Sequence, residues 1–338
     1  MTKQLVRKYK GETVLTKAGR ALLEGVVTDL DGPVYAFTGK ANPLKVAAAM
    51  ARLSRSPEDL RTILINEFGV DEKDAEALIK RVVTAYGDDS VAQLITISIG
   101  FEDASNLLTK QLEWGRLAAY LEQSTRYIFF DQKKNGGYRY HMPINLPAEL
   151  ALQYARVMDG IFDDYSELVH ELTEFVRARN PRPNKSTDPD GHTGWMGATR
   201  AQACDAVRSL LPASTTSTVG IVGSAQAIDN LIKHLLADPL EEMRQAGRSI
   251  LDQARKVAPA FFERTDREDR GLLDVEHRVK TRESMKEIAS GLRTLIELSD
   301  YREDCAPVTL VNYHPRSEHD LAPRMLYAPS GYSLGQLE

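Results

Sequence analysis

The chain has 338 residues, 42% hydrophobic and 27% charged, enough for one large domain or two ordinary ones with a sizeable core. A net charge of −5 speaks against a general nucleic-acid binder, which carries a basic excess, and no segment reaches the ~18 consecutive apolar residues of a membrane helix. Cys204 and Cys305 are too few and too far apart for a disulfide framework or a cysteine-based zinc site. The N-terminal MTKQLVRKYKGE lacks the apolar run of a signal peptide, so the cytoplasm is the expected location.

In chain order, residues 1–32 read as a polar lead with a short helix near Lys17–Leu30. After Gly32-Pro33, Val34–Phe37 reads as a strand. Asn42-Pro43 opens an Ala-rich helix to Leu53, because proline suits the first helical position. Apolar spacing of three and four predicts helices over Glu58–Phe68 and Asp71–Tyr86. A turn at Gly87–Ser90 leads into a strand, Val91–Ile99. Asn135-Gly136-Gly137 is a hairpin-type turn with Tyr138–His141 as its return strand. Long helices follow over Glu149–Arg177, then a mobile loop over Asn180–Thr199, rich in Pro, Gly, Asp and Asn.

A helix over Ala201–Leu211 stops at Pro212 and gives way to an extended piece, Ser214–Val219. Helices over Ala225–Leu236 and Pro239–Phe262 come next. The charge run Arg264–Glu276 reads as a solvated linker, ahead of a helix over Ser284–Leu298. Near the end, a strand at Val308–Tyr313 and a helix at Glu318–Leu326 repeat the order of the early strand and Ala-rich helix. That order fits either the start of a truncated second copy or a strand added to a sheet edge. The expected domains are therefore 1–32, 33–263, 264–303 and 304–338.

The chemistry concentrates in Ser105–Phe130, an amphipathic helix broken at Gly115 and followed by a β-branched and aromatic run. Arg116 and Arg126 are permanent cations whose planar forks suit phosphate. Glu122 can accept from a donor pair or set the position of an arginine, and Ser124 offers a hydroxyl and a backbone N–H. Gln111 carries the donor and acceptor needed to read an imide such as the uracil edge. On a strand, Ser124 and Arg126 would face the same way. The same residues also suit a plain surface ion-pair network beside a helix end. The histidines (His141, His170, His192, His234, His277, His314 and His319) form no metal-ligand motif, so no metal is expected.

Three blocks shift the balance between those readings. GDDSVAQL at 87–94, Gln111, Arg116 and Glu122-Gln123-Ser124-Thr125-Arg126-Tyr127 resemble the central block of the flavin-dependent thymidylate synthases (the ThyX family), R-H-R, five residues, then E-x-S-x-R-Y. Ala51-Arg52-Leu53-Ser54 resembles that family's Ala-Arg-x-Ser. Val207-Arg208 through Leu211-Pro212, with a Thr run and Asn230 beyond, resembles its Ala-Arg-x-x-Leu-Pro segment. The resemblance covers roughly residues 33–260. It implies an α/β (α+β) fold with a central, mostly antiparallel sheet flanked by long helices.

It also implies an activity, the reductive methylation of dUMP to dTMP with methylenetetrahydrofolate, FAD and NADPH in a homo-oligomer, a tetramer or, for a tandem protein, a dimer. By resemblance, Gln111, Glu122, Ser124, Arg126 and Arg208 bind the nucleotide, while Ser54, Ser90, Arg116, Glu122 and Asn230 contact FAD. No protein nucleophile is implied. The departures are specific. Trp114-Gly115-Arg116 stands for R-H-R, Asp88 for a histidine, Ser224 and Gln226 for an Asn and an Arg. The family's pyrimidine-gripping arginine falls near Leu235 or Leu236, beside Lys233 and His234. They leave open a non-catalytic, nucleotide-binding or structural homologue that needs a second copy to complete its site. Trp114 could stack on a flavin or base, or be a core or interface aromatic.

Overall fold

The computed structural model describes residues 5–9, 12–53, 56, 58–68, 93–134, 136–298, 317–330 and 333–337. Met1–Arg282 forms one compact unit and Glu283–Glu338 a second. The first unit opens with a hairpin, β1 (Val6–Tyr9) against β2 (Glu12–Leu15), where the sequence showed only a polar lead. α1 (Lys17–Leu23) is shorter than expected, with the Thr16 hydroxyl accepting from the Gly19 N–H at its start. α2 (Pro43–Leu53) begins where the Asn42 side chain accepts from the N–H groups of Leu44 and Lys45. Its alanines matter because both sides of the helix are buried. Val46 and Ala49 join Leu23, Val27 and α3 (Leu60–Phe68) in one core, while Ala47, Ala48 and Ala51 join the main core.

Val34–Phe37 is not a strand. Val34 is 82% exposed, and the segment makes only an isolated antiparallel bridge from Phe37 to Val27. Proline at 33 has no N–H to donate, and the chain simply crosses back toward α2. The helix over Asp71–Tyr86, the turn at Gly87–Ser90 and the strand at Val308–Tyr313 lie outside the described residues.

A three-stranded antiparallel sheet carries the main core in the order β3 (Thr96–Ser105), β5 (Thr216–Ser224), β4 (Ala118–Glu122). Alternation along β5 buries Val219, Ile221 and Gly223 and exposes Gly220 and Val222. The covered face packs on α7 (Ala225–Leu236) and α8 (Glu241–Val257) through Ile228, Ile232, Leu235, Ile250 and Ala254. β3 starts later and runs further than its apolar run suggested, because pairing with β5 extends to Ser105↔Thr216. A bulge between Phe101 and Ala104 places Asp103 at φ 56°, a conformation that Asp tolerates. The bulge turns Ser105 inward, where its hydroxyl accepts from the Leu108 N–H and starts α4 (Asn106–Leu112).

Beyond the sheet, α5 (Ala148–Arg179) and α6 (Pro189–Val207) bury Phe162, Tyr165, Val169, Cys204 and Val207 around Phe130. The expected loop over Asn180–Thr199 is therefore only half loop. Asp188 accepts from the Gly191 N–H, Pro189 takes the first turn, and the helix runs through its glycines because Thr199, Ala203 and Cys204 are buried. Tyr138–His141 forms no strand, only a bridge from Tyr140 to Thr215. Pro239–Phe262 breaks at Ala258 into α8 and α9 (Pro259–Phe262). α10 (Gly271–Leu298) starts inside the expected linker, where Thr265 is 1% exposed. α11 (Ser317–Ser330) and α12 (Leu334–Leu337) belong to the second unit.

Thr215 is buried, and its hydroxyl has no hydrogen-bond partner among the described residues. Thr215→Val keeps the shape and removes the unmet group. It should raise stability by about 1 kcal/mol in a denaturant melt.

Candidate functional site

The end of β4 and the turn after it assemble a polar surface. Lys110 on α4 donates to Glu122 Oε2 at 3.1 Å, and the Ser217 hydroxyl donates to Glu122 Oε1 at 3.2 Å. Glu122 thus orients a lysine and a hydroxyl, neither of them the arginine that the sequence offered. β4 ends at Glu122, so Ser124 and Arg126 do not share a strand face. They lie in a turn, where the Ser124 hydroxyl accepts from the Arg126 N–H at 3.2 Å. Gln123 beside them accepts from Arg139 at 2.6 Å.

The turn points Arg126 across to α6. Its Nε and one terminal nitrogen donate to the two oxygens of Asp205, at 3.0 and 2.9 Å. Arg208, one helical turn on from Asp205, places its Nε 3.4 Å from the same carboxylate. Two guanidinium groups therefore converge on a single carboxylate. The Arg126 hydrogen bond holds the Asp205 carboxyl below the usual range. The pair is complete at neutral pH and is lost only as pH falls through that lowered value. Sequence reasoning missed Asp205. Its i, i+3 spacing to Arg208 was visible, but its approach to Arg126, 79 residues away, was not.

A second cluster forms around the next residue of α4, Gln111. His234 on α7 donates from Nε2 to Gln111 Oε1 at 2.6 Å, and its ring stacks on Trp114 with centroids 5.7 Å apart and planes 8° apart. Burial, then the positive charge of Arg278, hold His234 below the ordinary imidazole range. Asp238 opposes this and Arg282 adds to it. Arg278 and Arg282 come from α10, within the stretch read as a solvated linker and helix. Trp114 is 70% exposed, so it is not a core residue.

Asn230 stands apart from both clusters. With Gln226, Asp229, Lys233, Arg264, Thr265 and Arg270 it lines a cavity of about 380 Å³. Ser224 and Gln226, two of the departures from the family pattern, are engaged within the chain. The Ser224 hydroxyl accepts from the Ala227 N–H, and Gln226 accepts from Gln93 at 2.7 Å. Arg116 is exposed, with no ion pair among the described residues. Ser54 and Ser90 lie outside the described residues. No group of His, Cys, Asp and Glu able to hold a metal, and no helix long and apolar enough to cross a membrane, occurs among the described residues.

Residues 37–260, more than half of the chain, match the family described as thymidylate synthase complementing protein. The chain belongs to this family. A "UPF0159 protein" of Chlamydia pneumoniae is 29% identical over 96% of this chain and 63% of its own length. Another from Chlamydia muridarum is 32% identical over 74% of this chain and 50% of its own. A "Flavin-dependent thymidylate synthase" of Clostridium tetani is 22% identical over 65% of this chain and 81% of its own length. The chain thus spans only half to about two thirds of the Chlamydia relatives.

Proposed function

We propose that this chain is a pyrimidine-nucleotide-binding member of the flavin-dependent thymidylate synthase type. The observation that carries the reading is the convergence of Arg126 and Arg208 on Asp205. In the bound state the phosphate of dUMP, or of a related nucleotide, takes the carboxylate's place between the two forks. Glu122 and Ser217 flank the sugar side, Ser124 holds the turn, and Gln111 faces the base. The flavin-contacting set, Ser54, Ser90, Arg116, Glu122 and Asn230, is completed by a second copy in a homo-oligomer or by a second domain. The longer Chlamydia relatives support the second-domain arrangement, in which 33–263 is the first of two copies.

On its own the chain binds nucleotide without turnover. The full reductive methylation of dUMP, with FAD, NADPH and methylenetetrahydrofolate, is a second reading. It is favoured by the polar cavity at Asn230, Arg264 and Arg270. Colour separates the two. A purified chain that is colourless, and takes up no added FAD, fits the binding role. A yellow chain with a flavin absorbance band, active on dUMP, would replace it with the enzyme.

Asp205 competes with the incoming phosphate. Asp205→Asn should therefore tighten dUMP binding several-fold in a calorimetric titration, and weaker binding would show that the carboxylate helps instead of competing.

A further inference from the structure

Trp114 is a large aromatic side chain, 70% exposed, at the end of α4. An indole left in water costs solvation, and an exposed one held rigid is unusual. Here His234 fixes it from beneath, with the two rings 5.7 Å apart and nearly parallel. His234 is itself held by its bond to Gln111 Oε1. Gln111 on α4, His234 on α7 and Trp114 just past the end of α4 therefore form one flat surface, whose outer face is open. With its oxygen engaged, the Gln111 amide keeps its N–H2 group as a donor. Arg278 and Arg282 add positive charge beneath, Asp238 partly offsets it, and the three are the charged groups that bear on His234.

We propose that Trp114, backed by His234, is a stacking platform for a planar heteroaromatic ring with a carbonyl acceptor at its edge, and that the Gln111 amide N–H2 reads that carbonyl. The inference deepens the nucleotide reading and rests on it for the position of the phosphate. Trp114 stands where the family pattern has an arginine, so recognition at this position shifts from charge toward ring shape. A pyrimidine base and an isoalloxazine share the required chemistry. His234 is a positioning residue, since it acts through Trp114 and Gln111.

The chain has two tryptophans, and Trp195→Phe leaves Trp114 as the sole indole emitter. In that background the full-length protein is titrated with dUMP, with FMN and with ribose 5-phosphate as a ringless control. Saturable quenching by dUMP or FMN, and none by ribose 5-phosphate, is the expected result, and the responding probe tells base from flavin. Trp114→Ala should weaken the responding ligand about five- to a hundred-fold by calorimetry, while Trp114→Phe keeps most of the affinity. His234→Ala should weaken it too, while a variant at an exposed position away from the stack leaves it unchanged.

No saturable quenching by either ring-bearing probe would overturn the platform. So would equal quenching by ribose 5-phosphate, or equal affinity in Trp114→Ala and Trp114→Phe. If Arg126→Ala loses dUMP and Trp114→Ala does not, the platform fails and the nucleotide reading stands. If ring-bearing probes need Trp114 but not Arg126, the nucleotide reading fails and the platform stands.

Discussion

Arg126→Ala should remove most of the thermal stabilisation that dUMP gives the protein, while leaving the unliganded melting temperature nearly unchanged. The two halves follow from different physics. Arg126 is an exposed side chain, and its pair with Asp205 lies in solvent. Exposed ion pairs contribute about 0–1 kcal/mol to folding, so the free protein should hardly notice the loss. A guanidinium that grips phosphate bidentately is worth more, about 1.5–3 kcal/mol, which is roughly ten- to a hundred-fold in affinity. At a dUMP concentration of about 100 Kd the ligand stabilises the native state by ~2.7 kcal/mol. After a ten- to hundred-fold loss the same concentration supplies only ~0.4–1.4 kcal/mol. Thermal melts of wild type and variant, with and without dUMP, measure both quantities at once. An unchanged ligand shift in Arg126→Ala would refute the phosphate assignment. A collapse of the unliganded melting temperature would mean that Arg126 is structural. Arg126→Lys keeps the charge and loses the fork, so it should fall between the two.

Local signals were legible where one element carried its own start, period and stop. α7 was read to the residue, because Ser224 caps it, apolar residues recur at 225, 228, 231, 232 and 235, and Asp238-Pro239 follow its end. α2 was read from Asn42-Pro43 for the same reason. α6 was not. Its first half, Pro189 to Gly197, carries three glycines and reads as loop by propensity, yet His192, Thr199 and Ala203 are buried and packing overrides propensity. The limits of β3 could not be read from its own residues, since they are set by the register of β5. The candidate site divides along the same line. Gln111, Glu122, Ser124, Arg126 and Arg208 were visible as a pattern. Their actual partners, His234, Lys110, Ser217 and Asp205, come largely from other elements that only tertiary contact brings in. The turn at Ser124–Arg126 was misread as strand, because a β-branched and aromatic run looks the same whether or not a neighbour pairs with it. β5 pairs with β4 only as far as Glu122↔Val219.

Asp229→Ala should be the most destabilising single change near the candidate site, by about 3 kcal/mol. Asp229 on α7 accepts from the hydroxyl of Thr265 at 2.5 Å and lies 2.7 Å from Lys233 Nζ. Thr265 is 1% exposed, and the Lys233 side chain only 18%. The substitution leaves a buried hydroxyl unmet, at about 1–3 kcal/mol. It also leaves a largely covered ammonium without its counter-charge, where a fully buried break costs about 3–5 kcal/mol and partial exposure reduces that. The loss should reach beyond one contact, because Thr265 anchors the chain that leads into α10. The Gly271 N–H donates to the Arg264 carbonyl, and a Cβ at Gly271 would come within 1.9 Å of the Thr265 carbonyl oxygen. The segment thus has little room to relax around the deletion. For a unit of this size, 3 kcal/mol lowers the melting temperature by roughly 6–12 °C. Asp229→Ala with Lys233→Met removes the stranded charge as well and should recover part of the loss. Equal melting temperatures for the single and double variants would show that the hydroxyl, and not the ammonium, carries the effect. A fall of under about 2 °C in Asp229→Ala would show that water replaces the carboxylate at both groups, and that α10 is held in place by its apolar contacts alone.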